Sequence, residues 1–429
     1  MNADIRQIVA EFAITDRSRA DPLCALRATS RAWHDAVVAA IRFHGPTQGG
    51  PTTVLQALLC PDMVTTELSL DAARCVFRAA MAWSPRGCLD LVPFSTLPLA
   101  DPGYPRMLGP LWAIVEEEHI QRLLLPPNVT VLVEEGFSCM NMESLTLPAT
   151  VTEIGRMCFA GAKIADLVFS PRELREVGVM CFNRFHTQSL DLRAATNLTA
   201  LPDSCFHAAR LKRLLLPGAI TMLGKYCFEG AKIDEMVLPV RELRAVGEVC
   251  FHGFHTPALD LREATNLTVL PDNCFSDTRM TRLQLPAGIT HIGPNGFARA
   301  DIADFDLPAA GIITLGYGCF NRFRTLMMDL RSATHIRSLP DCCFADARMA
   351  RLLLPASITQ LDQFCFAGAK IAEFVLPACE LIAVQRQCFA SFHTQSLDLS
   401  EASKMPTELP SDCFDKAKIA KLQLPKCNA

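Results

Sequence analysis

What this chain does not contain narrows its function before any motif is read. It has no excess of either charge: 41 Lys and Arg against 45 Asp and Glu leave a net of −4. That is too near neutral to draw in nucleic acid or an anionic membrane by electrostatics, so neither is expected as a partner. No stretch approaches the ~20 apolar residues that cross a bilayer. The start, MNADIRQIVAEFAITDR, carries Asp4 and Glu11 and lacks the basic head and apolar run of an export signal. A soluble, cytoplasmic protein is the expectation. Walker loops, GxSxG, HExxH and nucleotide fingerprints are absent too, and the carboxylates fall in solvated rows. An enzyme is not expected, nor a cofactor.

Cysteine is plentiful, at 19 of 429 residues, but it lacks the spacing that would make it chemical. No CxxC or CxxH occurs beside the repeated cysteines, and disulfide frameworks belong to small exported chains. Eleven of the cysteines instead precede a Phe in the same local pattern. Three N-x-Thr sequons, at Asn128, Asn197 and Asn266, read as unmodified for the same reason of compartment.

Repetition is what the chain does have. CFAGAKIADLVF from Cys158 returns as CFEGAKIDEMVL from Cys227 and CFAGAKIAEFVL from Cys365. The motif phenylalanines run from Phe137 through Phe159, Phe182 and Phe206 to Phe414, at intervals of 22, 23 and 24 that recur in that order. Thirteen repeats of about 23 residues are therefore grouped in threes, with a longer period of 69. Eight residues after each Phe an apolar, variable, apolar triplet appears, as in Leu190 and Leu192 or Leu352 and Leu354. Such alternation predicts a short strand with one buried face. Pro commonly follows, as at Pro148, Pro217 and Pro286, and ends the strand because it cannot donate to a ladder. In every third unit LP-x-x-(I/V)-T-x-(I/L) follows, supplying a turn and a second short apolar segment before the next Cys-Phe. One such unit cannot bury its apolar side; a stack can, with Leu on Leu and Phe on Phe. The motif cysteine then reads as a small buried residue, since Gly296 replaces it in one unit.

The stretch LPATVTEIGRMCFAGAKIADLVF, Leu147 to Phe169, resembles the BspA-like class of leucine-rich repeats, and the resemblance covers about 119 to 425. It implies a solenoid with a parallel sheet along one face that is used to bind protein; an adhesive surface protein, which some BspA-like repeats form, is the disfavoured alternative because no signal peptide is seen.

The variable residue of each triplet should point outward. That column includes Val168, Asp191, Leu215, Val237, Asp260, Gln284, Asp306, Asp329 and Leu353. Two residues earlier lies a second outward column, with Arg213, Arg282 and Arg351 facing Glu235, Asp304 and Glu373 of the next repeats. At a strand spacing of about 4.8 Å these should form ion pairs across the sheet. Either the columns only set spacing and solubility, or they are the strip that contacts a protein target. His186, His255 and His393, with Arg324 in the equivalent place, form a further column read as lying on the convex side. Copies three strands apart sit roughly 14–15 Å from each other, too far to converge on a metal.

Residues 1–118 lack the repeat. Ile5, Ile8, Val9 and Phe12 lie at helical spacing, and a second amphipathic helix is expected around Leu23, Leu26, Trp33, Val37 and Ile41. The plain reading is a helical cap on the first repeat. The other starts from LCALRATSRAWHDAV, which resembles the second half of an F-box at Leu26, Ser30, Arg31 and Trp33. That resemblance implies a substrate receptor of a cullin-type ubiquitin ligase, docking the adaptor subunit through Ile8, Leu23, Leu26 and Trp33. The expected layout is an F-box-like segment at 1–45, a helical and Pro-rich connector at 46–118 and the repeat array at 119–429. The fold class expected is an α/β-type repeat protein, a leucine-rich-repeat solenoid with a small α-helical N-terminal domain.

Overall fold

The computed structural model describes residues 88–90 and 120–423, apart from 126, 128, 403 and 407. The expected N-terminal helices, with Ile8, Leu23, Leu26 and Trp33, lie outside the described residues. The chain divides into two compact units, Met1–Glu173 and Leu174–Ala429. Among the described residues the only helix is the single 3-10 turn Ala309–Gly311. The solenoid of mostly short parallel strands and turns expected from the sequence is what forms: among the described residues the repeats join their strands by turns into a parallel-strand β-solenoid of leucine-rich-repeat type with almost no helix.

In the first unit the strands Cys88–Asp90, Arg122–Leu124, Asn141–Leu147 and Lys163–Phe169 pair in parallel in that order. Two short strands, Val131–Leu132 and Glu153–Ile154, pair as a second, narrow ladder. Phe137 and Phe159 stack between the two ladders, with ring centroids 5.2 Å apart.

The second unit repeats this arrangement at greater length. Its longer strands begin with His186–Asp191, Arg210–Leu215 and Lys232–Val237, each paired in parallel and in register with the next. Ala258–Asp260, Arg279–Gln284 and Asp301–Asp306 follow, then Met327–Asp329, Arg348–Leu353, Lys370–Val375, His393–Asp398 and Lys418–Gln423. The strands at Ala258 and Met327 start late, with Pro257 and Leu326 where Gln188 and Gln395 stand in the related repeats; at Pro257 a backbone donor is also missing. His255 still bridges to Lys232 and Arg279, so the register survives the interruption. Two-residue strands such as Ala200–Leu201, Met222–Leu223 and Ala245–Val246 form the narrow ladder on the other side. Of these, Met222–Leu223 is a second apolar segment anticipated from the sequence, whereas the ladder runs through the other repeats as well.

The Cys-Phe turns make a third ladder. Phe206 N–H donates to the Cys227 carbonyl at 2.8 Å, and Phe228 N–H to the Cys250 carbonyl at 2.8 Å, a pattern that continues to Phe389 and Cys413. Left-handed residues flank each turn, for example Tyr226 (φ 58°) and Gly230 (φ 63°). They let alternate N–H groups point the same way, so Tyr226 reaches Glu248 and Gly230 reaches His252 in the next repeat. Eleven Phe rings from Phe182 to Phe414 stack along the interior, with centroids 5.0–5.5 Å apart. That spacing is close to the distance between neighbouring strands, so ring stacking and strand pairing reinforce one repeat distance.

The motif cysteines line this interior as free, buried thiols. Burial pushes the Cys205, Cys227 and Cys274 thiols well up from their ordinary range and Cys413 to about 12. Thiols held in the protonated form make poor nucleophiles and ligands. The size-selective role read from Gly296 also fits: a Cβ there would lie 2.7 Å from Ile292 Cγ2.

Candidate protein-binding face

Most six-residue strands bury their second and fifth residues and expose the first, third and fourth. In Arg210–Leu215, Leu211 and Leu214 point into the core while Arg210, Lys212 and Arg213 are exposed. Two successive exposed residues, Lys212 and Arg213, break strict alternation, and the ladder skips one residue at that point while keeping register. The same break recurs in Arg279–Gln284 and Arg348–Leu353.

The middle row contains the expected ion pairs. Arg213 meets Glu235 at 3.0 Å, Arg282 meets Asp304 at 3.0 Å, and Arg351 meets Glu373 at 2.9 Å. All are about half exposed, which makes them weak contributors to stability. They hold a patterned surface.

The row nearest the strand ends is less uniform than the sequence suggests. Val237 is 39% exposed and Asp260 and Asp306 are exposed, and in the first unit Val168 is 49% exposed. Asp191 and Asp329 are half-buried. Leu215 and Leu353, however, are 3% exposed and Gln284 is 6% exposed. These three were expected to face solvent, and the structure corrects that. Leu215 is enclosed on its own face by Arg213 and the buried Pro217 along the strand and by Asp191 and Val237 in register on either side. The strands Arg210–Leu215, Arg279–Gln284 and Arg348–Leu353 therefore offer little apolar surface there.

The aspartates of this row are locked in place. Arg193 Nη2 donates to Asp191 Oδ2 at 2.7 Å, and the Arg193 backbone N–H donates to Asp191 Oδ1 at 3.0 Å. Arg262 holds Asp260, and Arg331 holds Asp329, with the same geometry. The arginine side chain, aided by the backbone N–H, keeps the Asp191, Asp260 and Asp329 carboxyls below the usual carboxylate range, against a smaller opposing effect of burial. Asp398 caps its turn through Ser400 N–H at 2.9 Å.

The row at the strand starts was missed. His186, His255 and His393, read from the sequence as convex, instead open strands or bridges of the sheet itself. His186 pairs in register with Arg210, Arg210 with Lys232, Lys232 with His255, and His255 with Arg279. Beyond Asp301 the row continues through Arg324, Arg348, Lys370, His393 and Lys418. The signal for it was present: the residue four places after each motif Phe from Phe182 to Phe414 is Lys, Arg or His, save for Asp301. His255 shows the consequence locally, since burial, with help from Lys232 and Arg279, lowers its pKa below the ordinary imidazole value. Exposed apolar residues sit beside the middle of this row, Leu326 at 70% and Met327 at 47%.

Stacked turns, a parallel sheet on one side and short strands on the other define a leucine-rich-repeat protein. A family model described as the BspA type leucine-rich repeat region matches six copies, over 130–258, 199–327 and 327–429. The chain belongs to that BspA-type leucine-rich repeat family. Comparison with curated proteins gives no match. Among solved structures, a leucine-rich repeat protein from Bacteroides ovatus is 15% identical, over 71% of this chain and 75% of that one, with a TM-score of 0.44. A leucine rich cell surface protein from Faecalibacterium prausnitzii is 14% identical, over 71% and 79%, with a TM-score of 0.33. A leucine-rich repeat protein from Eubacterium ventriosum is 16% identical, over 76% and 89%, with a TM-score of 0.30. These three structural likenesses are too distant to speak to function.

Proposed function

We propose that this chain is a non-catalytic protein-binding scaffold whose longer-strand sheet face holds the partner. The observation that carries this reading is the exposure of Val237, Leu326 and Met327 on an ordered surface otherwise tiled with ion pairs. Exposed apolar side chains on a rigid, solvated sheet gain free energy when a partner covers them. The finer reading, a cullin-ligase substrate receptor, rests on the F-box resemblance of residues 23–37 alone, with Ile8, Leu23, Leu26 and Trp33 as the adaptor contacts. In that reading the sheet face holds the protein to be modified.

The test is capture of binding proteins by the full chain and by two matched variants. One carries Val237→Asp and Met327→Asp on the sheet face. The other carries Ile313→Asp and Tyr317→Asp, also exposed but beside the short strands. Proteins retained by wild type and the second variant but lost from the first are the expected result. Equal retention by both variants, or loss only from the second, would overturn the assignment of the face.

A further inference from the structure

On the second unit's sheet face most of the unpaired cations stand in one row. In the middle row each Arg touches the Glu or Asp of the next repeat. In the row at the strand ends Asp191, Asp260 and Asp329 are each clamped by an arginine two residues on. At the strand starts, by contrast, like charges lie directly opposite one another. Arg210 faces Lys232, Arg324 faces Arg348, and Arg348 faces Lys370, all in register. Only Asp301 interrupts, and it lies 3.9 Å from Arg324. Among the described residues, the exposed cations Arg210, Lys232, Arg279, Arg348, Lys370 and Lys418 make no ion pair. Like charges set opposite each other on neighbouring strands destabilise a sheet. The fold carries this cost at three cross-strand contacts of a row eleven positions long, about 48 Å at the spacing of parallel strands.

We infer that this row is a docking site for an extended acidic polypeptide segment that also carries apolar side chains. The inference rests on the protein-binding reading of the same face and names the chemistry of the partner. Three features favour an acidic polypeptide. An extended segment presents carboxylates along a line, complementary to a line of cations. Leu326 and Met327, exposed beside Arg324 at the middle of the row, offer a place for an apolar side chain of the same segment. Single-stranded nucleic acid would call for aromatic platforms beside the cations, whereas the adjoining exposed positions are occupied by residues such as Lys212, Thr281, Ala303 and Ala350. Acidic segments with interspersed apolar residues are commonly unstructured until bound, and a preformed row of cations would order one without reshaping the solenoid. The alternative of a second copy of this chain is weaker, because three of the five aspartates in its acidic row are already held by their own arginines.

The experiment uses the full chain and a fluorescent peptide of about fifteen residues, long enough to span the row at about 3.3 Å per residue. The peptide is built of Asp and Glu with one central Phe-Leu pair. One variant carries Arg279→Glu, Arg348→Glu and Lys370→Glu. A control with the same change of net charge carries Arg175→Glu, Arg244→Glu and Arg337→Glu, exposed residues that precede short strands. Binding should weaken about tenfold in the row variant and within about twofold in the control, and should fall as salt rises. Leu326→Ser should weaken the Phe-Leu peptide and leave an all-acidic peptide unchanged. Equal peptide affinity for the row variant and wild type would overturn the inference. So would tighter binding of wild type to oligothymidylate or chondroitin sulfate than to the peptide, or peptide binding only by a dimer of the chain in sedimentation. Failure here, together with loss of captured proteins from the Val237→Asp, Met327→Asp variant, would leave the binding face intact and remove only its acidic partner.

Discussion

The interior and the sheet face of the second unit are built on the same backbone, yet they repeat at different lengths. Inside, one residue type recurs in every repeat: Phe206, Phe228, Phe251 and Phe275 stack ring on ring. In the middle and strand-end rows of the face, the same chemistry returns only every third repeat, as in Arg213, Arg282 and Arg351 or Asp191, Asp260 and Asp329. The difference shows where each requirement comes from. Close packing constrains every repeat alike, because a gap in one layer is felt by both neighbours. The surface is constrained only by its cross-strand partners, so it can carry a pattern three repeats long.

The sharpest way to break this comparison is to empty one layer of the stack. Phe275→Ala should cost about 3–5 kcal/mol, since Phe275 is fully buried and stacks on both Phe251 and Phe297. The loss should show in urea denaturation as a lower midpoint or a split transition around that repeat. A second substitution pair tests two residues of one surface column. Leu215→Ala should cost about 2–4 kcal/mol as a core residue would, whereas Val237→Ala, its in-register neighbour, should stay within about 0.5 kcal/mol. Equal costs would mean that the burial of Leu215 is not what separates the two.

The smallest effect concerns the Asp–Arg clamps. Their folded carboxyl pKa values are lowered, chiefly by the arginine side chains. The stability they contribute is therefore present above the unfolded aspartate value of about 3.9 and is lost as pH falls through the lower folded value. Because the pairs are largely exposed, the contribution is small. Replacing Asp191, Asp260 and Asp329 together by Asn should flatten the decline in denaturation midpoint below about pH 4. An unchanged slope would assign that decline to other carboxylates.

The interior was legible because identity and spacing coincide there: Phe at intervals of 22, 23 and 24 can only be stacked if each repeat is one turn of a solenoid. The face was less legible for two physical reasons. Burial of Leu215, Gln284 and Leu353 depends on residues of neighbouring strands, which alternation within one strand does not reveal. The basic row was hidden by the pair of consecutive exposed residues, such as Lys212 and Arg213, which makes the strand seem to begin after Arg210 when it begins on it. His186 and His393 were separated from their sheet by the same break.

Three parallel ladders of backbone hydrogen bonds all run from each repeat to the next. That geometry has a mechanical consequence. Tension applied to the two ends of the second unit loads the terminal repeat's bonds to its neighbour first, in an unzipping direction, while the repeats behind it stay clamped. The unit should lengthen under force in steps, each releasing about 23 residues or roughly 75–80 Å of chain. A solenoid of this kind would yield gradually, as a ratcheted spring that shortens again when the load is removed.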